Sequence, residues 1–147
     1  MKSALWSIGK VEDVPKEVQP LIKEHLRRIE HLVPSWCNKI SVKFVTDNES
    51  DEDGNIKYAE VVVQHEYRRT TLYVYPPWLD DDEETRHERL RHEMAHLSTA
   101  PLFQLACRIV DECFADEAGK LLKGELQKAS EAATEDFMQI LKRVERE

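Results

Sequence analysis

The chain has few of the residues that several common kinds of site require. Only 4 of its 147 residues are glycine, and none lies in the pattern of a phosphate-binding loop or a nucleophile elbow. Its 3 cysteines make an odd number, so a disulfide framework is not expected and a reducing compartment is indicated. No apolar run is long enough to span a membrane, and the one before Lys10 is too short for a signal peptide. These absences predict a cytoplasmic protein without a membrane partner.

Basic residues are also fewer than acidic residues. The chain has 21 lysines and arginines against 29 aspartates and glutamates, a formal net charge of −8. Phosphate binding needs a positive surface, so nucleic acid is not expected as a partner. The hydrophobic share of 41% and the charged share of 34% are typical of a soluble globular protein. The length predicts a single domain over residues 1–147 that is large enough to bury a core.

Hydrophobic periodicity in the N-terminal half predicts one helix and three strands. Apolar residues recur at helical spacing over residues 15–33, where Pro20 can delay the start of the helix. Alternating or β-branched runs predict strands at 40–46, 56–65 and 70–75. We therefore expect an α+β fold in which a small, mostly antiparallel twisted sheet of three or four strands packs against helices.

The C-terminal half predicts three helices. The first should run to about Leu97, with its N-terminus capped by Asp80, Asp81 or Asp82, and residues 98–101 should break it at Pro101. The second should cover 102–123 and stop at Gly124. The third should cover 125–146, and its buried face is predicted to hold Leu126, Ala129, Ala133, Ile140 and Val144.

An acidic segment lies between the first two predicted strands. Residues 49–60 match the spacing of a calcium loop, with Gly54 at the sixth position and Glu60 at the twelfth. However, Glu49 occupies the first position, where aspartate is usual, and the flanks predict strands where a calcium hand needs helices. A solvated hairpin turn is the favoured interpretation, and a calcium loop is the alternative.

The segment His92-Glu93-x-x-His96 has the spacing of a zinc-hydrolase motif. On a helix, His96 falls about 40° from His92, so both imidazoles can reach one cation. Leu90, Met94 and Leu97 cluster on the opposite side. A third ligand would complete a catalytic zinc site with one ion per chain.

A carboxylate on the second predicted helix is a candidate third ligand. Glu112 lies seven residues after Leu105, on the apolar stripe of that helix, and Asp116 lies on the same side. An unpaired carboxylate on a buried stripe needs a cation or several donors. The partner could be the zinc ion or an arginine such as Arg89 or Arg108.

Together these segments resemble the gluzincin group of zinc peptidases, in which the His-Glu-x-x-His helix precedes a helix with a glutamate ligand and an aspartate four residues later. Residues 111–116, Asp-Glu-Cys-Phe-Ala-Asp, are similar to that second segment. The resemblance implies a zincin-like fold, His92, His96 and Glu112 as metal ligands, and Glu93 as general base. It also implies that Asp116 accepts a hydrogen bond from a ligating histidine, and that an extended substrate pairs with the strand at 70–75.

The chain also departs from the gluzincin pattern. The interval from His96 to Glu112 (112 − 96 = 16) is short, and Asp111 stands where asparagine is frequent. No histidine or tyrosine follows Glu117, so either zinc alone stabilises the transition state or a side chain from upstream contributes. The candidates are Tyr73, Tyr75, His65 and His87.

We therefore expect a zinc-dependent metallopeptidase that uses a zinc-activated water and a glutamate base to hydrolyse peptide bonds. The alternative is a zinc-containing binding or structural module that has the same fold but does not hydrolyse. A metzincin is not indicated, because Thr99 and Leu102 occupy the positions of its glycine and third histidine.

Overall fold

The computed structural model describes residues 6–8, 15–46, 50–51 and 53–146. The chain divides into two compact units, Met1–Met94 and Ala95–Glu147, and the boundary falls inside one long helix. The fold class is α+β, as expected. That residues 1–147 form a single domain stays a prediction.

Within the described residues, the first unit contains four strands and two complete α-helices. They are β1 (Trp6–Ile8), α1 (Gln19–Ile29), β2 (Lys39–Phe44), β3 (Ala59–Gln64), β4 (Arg69–Val74) and α2 (Pro77–Asp80), followed by the start of α3 (Glu83–Cys113). The three strands predicted from the sequence are confirmed with shifted ends. Helix α1 starts late because Pro20 occupies its first turn, where a missing N–H leaves no hydrogen bond unmade.

The strands form one sheet in the order β1-β2-β4-β3. The pairs β1–β2 and β2–β4 are parallel, and only β3–β4 is antiparallel. The prediction of a mostly antiparallel sheet is therefore wrong. The β3–β4 connection, His65–Tyr67 and the left-handed Arg68, reverses the chain and inserts β4 between β2 and β3, so that β4 runs parallel to β2. Helix α1 supplies the crossover that the parallel β1–β2 pair requires.

Buried apolar side chains of α1, the sheet, α2 and the start of α3 form the core of the first unit. The alternation along β4 buries Thr70, Leu72 and Val74 on one face. The other core residues include Ile22, Leu26, Ile29, Ile40, Val42, Trp78, Leu90 and Met94. This core holds the start of α3, which Asp82 caps by accepting a hydrogen bond from Thr85 N at 2.8 Å. One of the three predicted caps is thus confirmed.

The acidic segment contains a tight turn. The Asp51 Oδ1 atom accepts hydrogen bonds from the backbone N–H groups of Asp53 and Asn55, and Gly54 has a φ of +82° that suits glycine. Ser50 and Ile56 form an antiparallel bridge across it. This arrangement supports the hairpin interpretation; Glu49 and Glu52, part of the calcium-loop alternative, lie outside the described residues.

The second unit is an antiparallel helical hairpin. Helix α3 continues to Cys113, and α4 runs from Asp116 to Val144. Asp111 of α3 pairs with Lys123 of α4 at 2.6 Å, and His96 of α3 meets Glu131 near the middle of α4. In the part of the chain that the structure describes, no helix is long and apolar enough to cross a membrane.

The predicted helix boundaries in this unit are wrong. Proline at position 101 removes one backbone hydrogen bond, yet α3 continues through it, and Leu97 and Ala100 in the preceding turn are buried. Glycine at position 124 lies inside α4, where it weakens the helix without ending it. The chain turns instead at residues 114–115, and Asp116 adopts a left-handed φ of 64°.

Candidate metal centre

The two motif histidines lie one turn apart on α3. Leu90, Met94 and Leu97 are buried on one side of the helix, whereas His92 and His96 are half-buried on another. The predicted division of this helix into an apolar face and a histidine face is confirmed. Burial of the apolar face fixes the rotation of α3 and so directs both imidazoles the same way.

Helix α4 contacts both ring nitrogens of His96. The Nε2 atom lies 3.4 Å from Glu131 Oε1, and the Nδ1 atom lies 3.1 Å from Thr134 Oγ1. Glu131 and Thr134 are three residues apart, so they share a face of α4. Thr134 has an exposed fraction of 0%, whereas 47% of the Glu131 side chain is exposed. The buried hydroxyl can therefore hold the ring while the carboxylate remains open to solvent.

The donor atoms of His92, His96 and Glu131 all lie within 4.8 Å of one another. Two imidazoles and one carboxylate are a ligand set of catalytic zinc sites. Ligands bound to a tetrahedral zinc at about 2.0–2.1 Å would be roughly 3.4 Å apart, and the distance from His96 Nε2 to Glu131 Oε1 is 3.4 Å. The donor types match such a site, and zinc binding by these residues stays a prediction.

Glu93, the residue after His92, is tied to the sheet. Its Oε2 atom accepts a hydrogen bond of 3.1 Å from the backbone N–H of Val61 on β3. The Tyr75 N–H donates to Tyr58 O, so alternation along the ladder turns the backbone N–H of Val61 away from β4. This outward N–H of an edge strand holds the carboxylate that the sequence predicts to be the general base.

The structure does not bring Glu112 to the histidines. Glu112 lies on the same continuous helix as His96, sixteen residues later, which places it about 24 Å along the axis. It is exposed, as are Leu102, Leu105 and Ile109 of the predicted buried stripe. In this arrangement Glu112 cannot share a cation with His92 and His96, so its prediction as third ligand is corrected.

The role predicted for Asp116 meets the same difficulty. Asp116 is the exposed first residue of α4, twenty residues after His96 (116 − 96 = 20), beyond the turn of the hairpin. The predicted acceptor for a ligating histidine is therefore misplaced. The side chain that contacts His96 Nδ1 in the structure is instead Thr134, whose Oγ1 atom lies 3.1 Å away.

The four upstream candidates for transition-state stabilisation have other contacts in the first unit. The Tyr75 hydroxyl donates to Glu60 Oε2 at 2.9 Å, and Lys43 Nζ lies 5.9 Å from the centre of the Tyr73 ring. The His65 ring packs edge-on against Trp36. None of these contacts involves a metal-site residue, and the role of these tyrosines and histidines in catalysis stays a prediction.

His87 belongs to a separate pair of histidines. Its Nδ1 atom lies 3.4 Å from Nδ1 of His25 on α1, and the His25 ring also contacts Trp78 edge-on. Burial, with Arg28 close by, lowers the pKa of both imidazoles. This pair packs α1 against the start of α3.

The predicted substrate strand is in the interior of the sheet. Strand β4, which covers most of residues 70–75, pairs with β2 on one side and β3 on the other. An extended peptide cannot add to a strand whose two edges are already paired, so this prediction is wrong. Among the described strands, β3 and β1 form the edges of the sheet, and β3 is the one that contacts Glu93.

Sequence reasoning missed Glu131 and Thr134. The predicted buried face of the last helix was wrong, because α4 exposes Ile140 and Val144 and instead buries Thr134 and Met138. The sequence did contain one indication of this site, because Glu131 and Thr134 are polar residues about one turn apart on an amphipathic helix.

No family model, curated protein or solved structure matches the chain. The functional argument therefore depends on the donor atoms and their surroundings.

Proposed function

We propose that the protein is a zinc-dependent metallopeptidase with a zincin-like site whose ligands are His92, His96 and Glu131. The observation that carries the proposal is the convergence of two imidazoles and one carboxylate within 4.8 Å. Such a set leaves a fourth position for water or substrate, as catalytic zinc sites do, whereas structural sites are closed by four protein ligands. This is the gluzincin ligand set, with the third ligand moved from Glu112 to Glu131.

Glu93 is the proposed general base. It directly follows the first histidine ligand, and the Val61 N–H holds one of its carboxylate oxygens. When bound, zinc would lower the pKa of a coordinated water and polarise the scissile carbonyl. Glu93 would accept the proton of the attacking water and pass it to the nitrogen of the leaving amine as the peptide bond breaks.

An extended peptide along the β3 edge is the proposed substrate. Alternation in the β3–β4 ladder turns the backbone groups of Ala59 and the carbonyl of Val61 away from β4, while the Val61 N–H, on the same side, donates to Glu93. A peptide that adds a strand at such an edge gains main-chain hydrogen bonds independent of its sequence. Because Val61 contacts Glu93, this edge would align a peptide with the general base.

Zinc content and hydrolysis test the proposal together. Protein purified without chelator and loaded in zinc buffer should contain about one zinc per chain, and removing it with chelator should lower the melting temperature. The loaded protein should cleave members of a random peptide library, and Glu93→Gln should keep the zinc but lose the cleavage, because the amide cannot accept a proton.

Each component can fail separately. Absence of zinc by elemental analysis would contradict the metal centre itself. Stoichiometric zinc without cleavage would favour the non-catalytic zinc module, and equal cleavage by Glu93→Gln would remove Glu93 from the mechanism.

A further inference from the structure

We propose that Thr134 is the positioning residue that sets the tautomer and orientation of His96, so that Nε2 is the nitrogen presented to the metal. The inference deepens the proposed function and rests on it for the identity of the cation. It concerns only contacts between α3 and α4 in the second unit.

The geometry assigns the two ring nitrogens different partners. Thr134 Oγ1 lies 3.1 Å from Nδ1, and Glu131 Oε1 lies 3.4 Å from Nε2. A metal bound beside Glu131 would therefore take the Nε2 lone pair. The single proton of the neutral imidazole must then be on Nδ1, where the Thr134 oxygen can accept it.

The Thr134 hydroxyl can also hydrogen-bond with the His96 ring in the metal-free protein. A threonine hydroxyl can donate or accept, so it can pair with Nδ1 in either tautomer. If its O–H donates to Nδ1, the proton is on Nε2 and can be donated to Glu131. Conversion to the ligating form moves this proton from Nε2 to Nδ1 and turns the hydroxyl, with no net proton gained or lost by His96.

Packing alone does not explain a threonine at this position. Thr134 is completely buried, and valine has nearly the same shape without a polar atom. Threonine is also a modest helix former, so its placement inside a 29-residue helix brings no gain in local propensity. The contact with His96 Nδ1 supplies a reason for the hydroxyl.

Three variants separate the hydroxyl from the shape of the side chain. Thr134→Val keeps the shape of the side chain and removes the hydroxyl. Thr134→Ala removes both the hydroxyl and the methyl group, and Thr134→Ser keeps the hydroxyl and removes the methyl group. Zinc affinity is measured on chelator-stripped protein by competition with a chromophoric chelator. Loss of a residue that orients a ligating histidine typically weakens binding about 10- to 100-fold. We expect this loss for the valine and alanine variants, and an affinity within about threefold of wild type for serine.

The tautomer of His96 provides a readout that is independent of hydrolysis. Nitrogen-15 spectra of the zinc-loaded wild type should show Nδ1 protonated and Nε2 bound to metal. In the metal-free protein, Thr134→Val should change the proportion of the two tautomers, while Thr134→Ser should leave it unchanged.

Several results would overturn the positioning role. They are unchanged zinc affinity in both variants without the hydroxyl, a serine variant as weak as the valine variant, metal bound through Nδ1, or identical tautomer proportions in wild type and Thr134→Val. Wild-type protein that binds no zinc would refute the metal centre. The tautomer comparison in metal-free protein would still decide the role of Thr134.

Discussion

Replacing Glu131 by alanine removes the carboxylate whose Oε1 lies 3.4 Å from His96 Nε2. If Glu131 is a metal ligand, the loss should exceed the 10- to 100-fold effect typical of residues that only orient a ligand. We therefore expect Glu131→Ala to weaken zinc binding more than about 100-fold, equivalent to about 2.8 kcal/mol. The corresponding loss of zinc-dependent stabilisation should be measurable in thermal unfolding at a fixed zinc concentration.

Glu112→Ala is the matched control, since it removes the same side chain from a distance of about 24 Å. In water, the attraction between that carboxylate and a divalent ion would be about 0.3 kcal/mol before screening. The separation is about three Debye lengths at physiological salt, which reduces the attraction further. Zinc affinity should therefore change by less than about 1.5-fold. The opposite order, with Glu112→Ala crippled and Glu131→Ala near wild type, would refute both the ligand assignment and the unbroken course of α3.

Two further predictions concern stability in the presence of chelator. The folded-state pKa values of His25 and His87 are lowered, so the unfolded chain takes up protons first as pH falls below about 6.5. The contribution of these histidines to the free energy of unfolding should therefore be fully present above that pH and be lost below it. Denaturant titrations over this pH range should show a weaker pH dependence for His87→Leu than for wild type. Gly119→Ala should destabilise the protein by about 1–3 kcal/mol, because the new Cβ would lie 2.9 Å from Phe114 O. Gly124→Ala has open space around its Cβ and should stabilise the protein by up to about 1 kcal/mol. Urea unfolding that ranks the two variants in the opposite order would contradict the hairpin packing.

The elements that the sequence predicts correctly are those whose signals are local. The periodicity of α1, the alternation of β4 and the cap at Asp82 each depend on neighbouring residues, and the motif face of α3 follows from the spacing of His92 and His96. The shared face of His92 and His96 and the position of Glu93 beside them could therefore be predicted from the sequence, whereas their roles as ligands and base stay predictions.

The approach of Glu131 to His96 could not be predicted because it depends on where the helices end. Pro101 is a local helix breaker, but the burial of Leu97 and Ala100 accompanies a helix that continues through it. The real turn carries no glycine or proline signal, since Asp116 adopts the left-handed conformation itself. Because the turn was predicted at residues 98–101, Glu112 was predicted to lie on a separate helix that faces the histidines.

The turn at residues 114–115 lies midway between His96 and Glu131, so these two residues meet across the hairpin, near the middle of α4. An ion held by both would act as a cross-link that closes a loop of 35 residues (131 − 96 = 35). By the loop-entropy relation used for disulfides, a closure of this length restricts the unfolded chain by roughly 4 kcal/mol. Without the ion this restriction would be absent, and unfolding of the chain would be correspondingly easier. Bound metal would therefore contribute to the stability of the protein as well as supply the proposed chemistry.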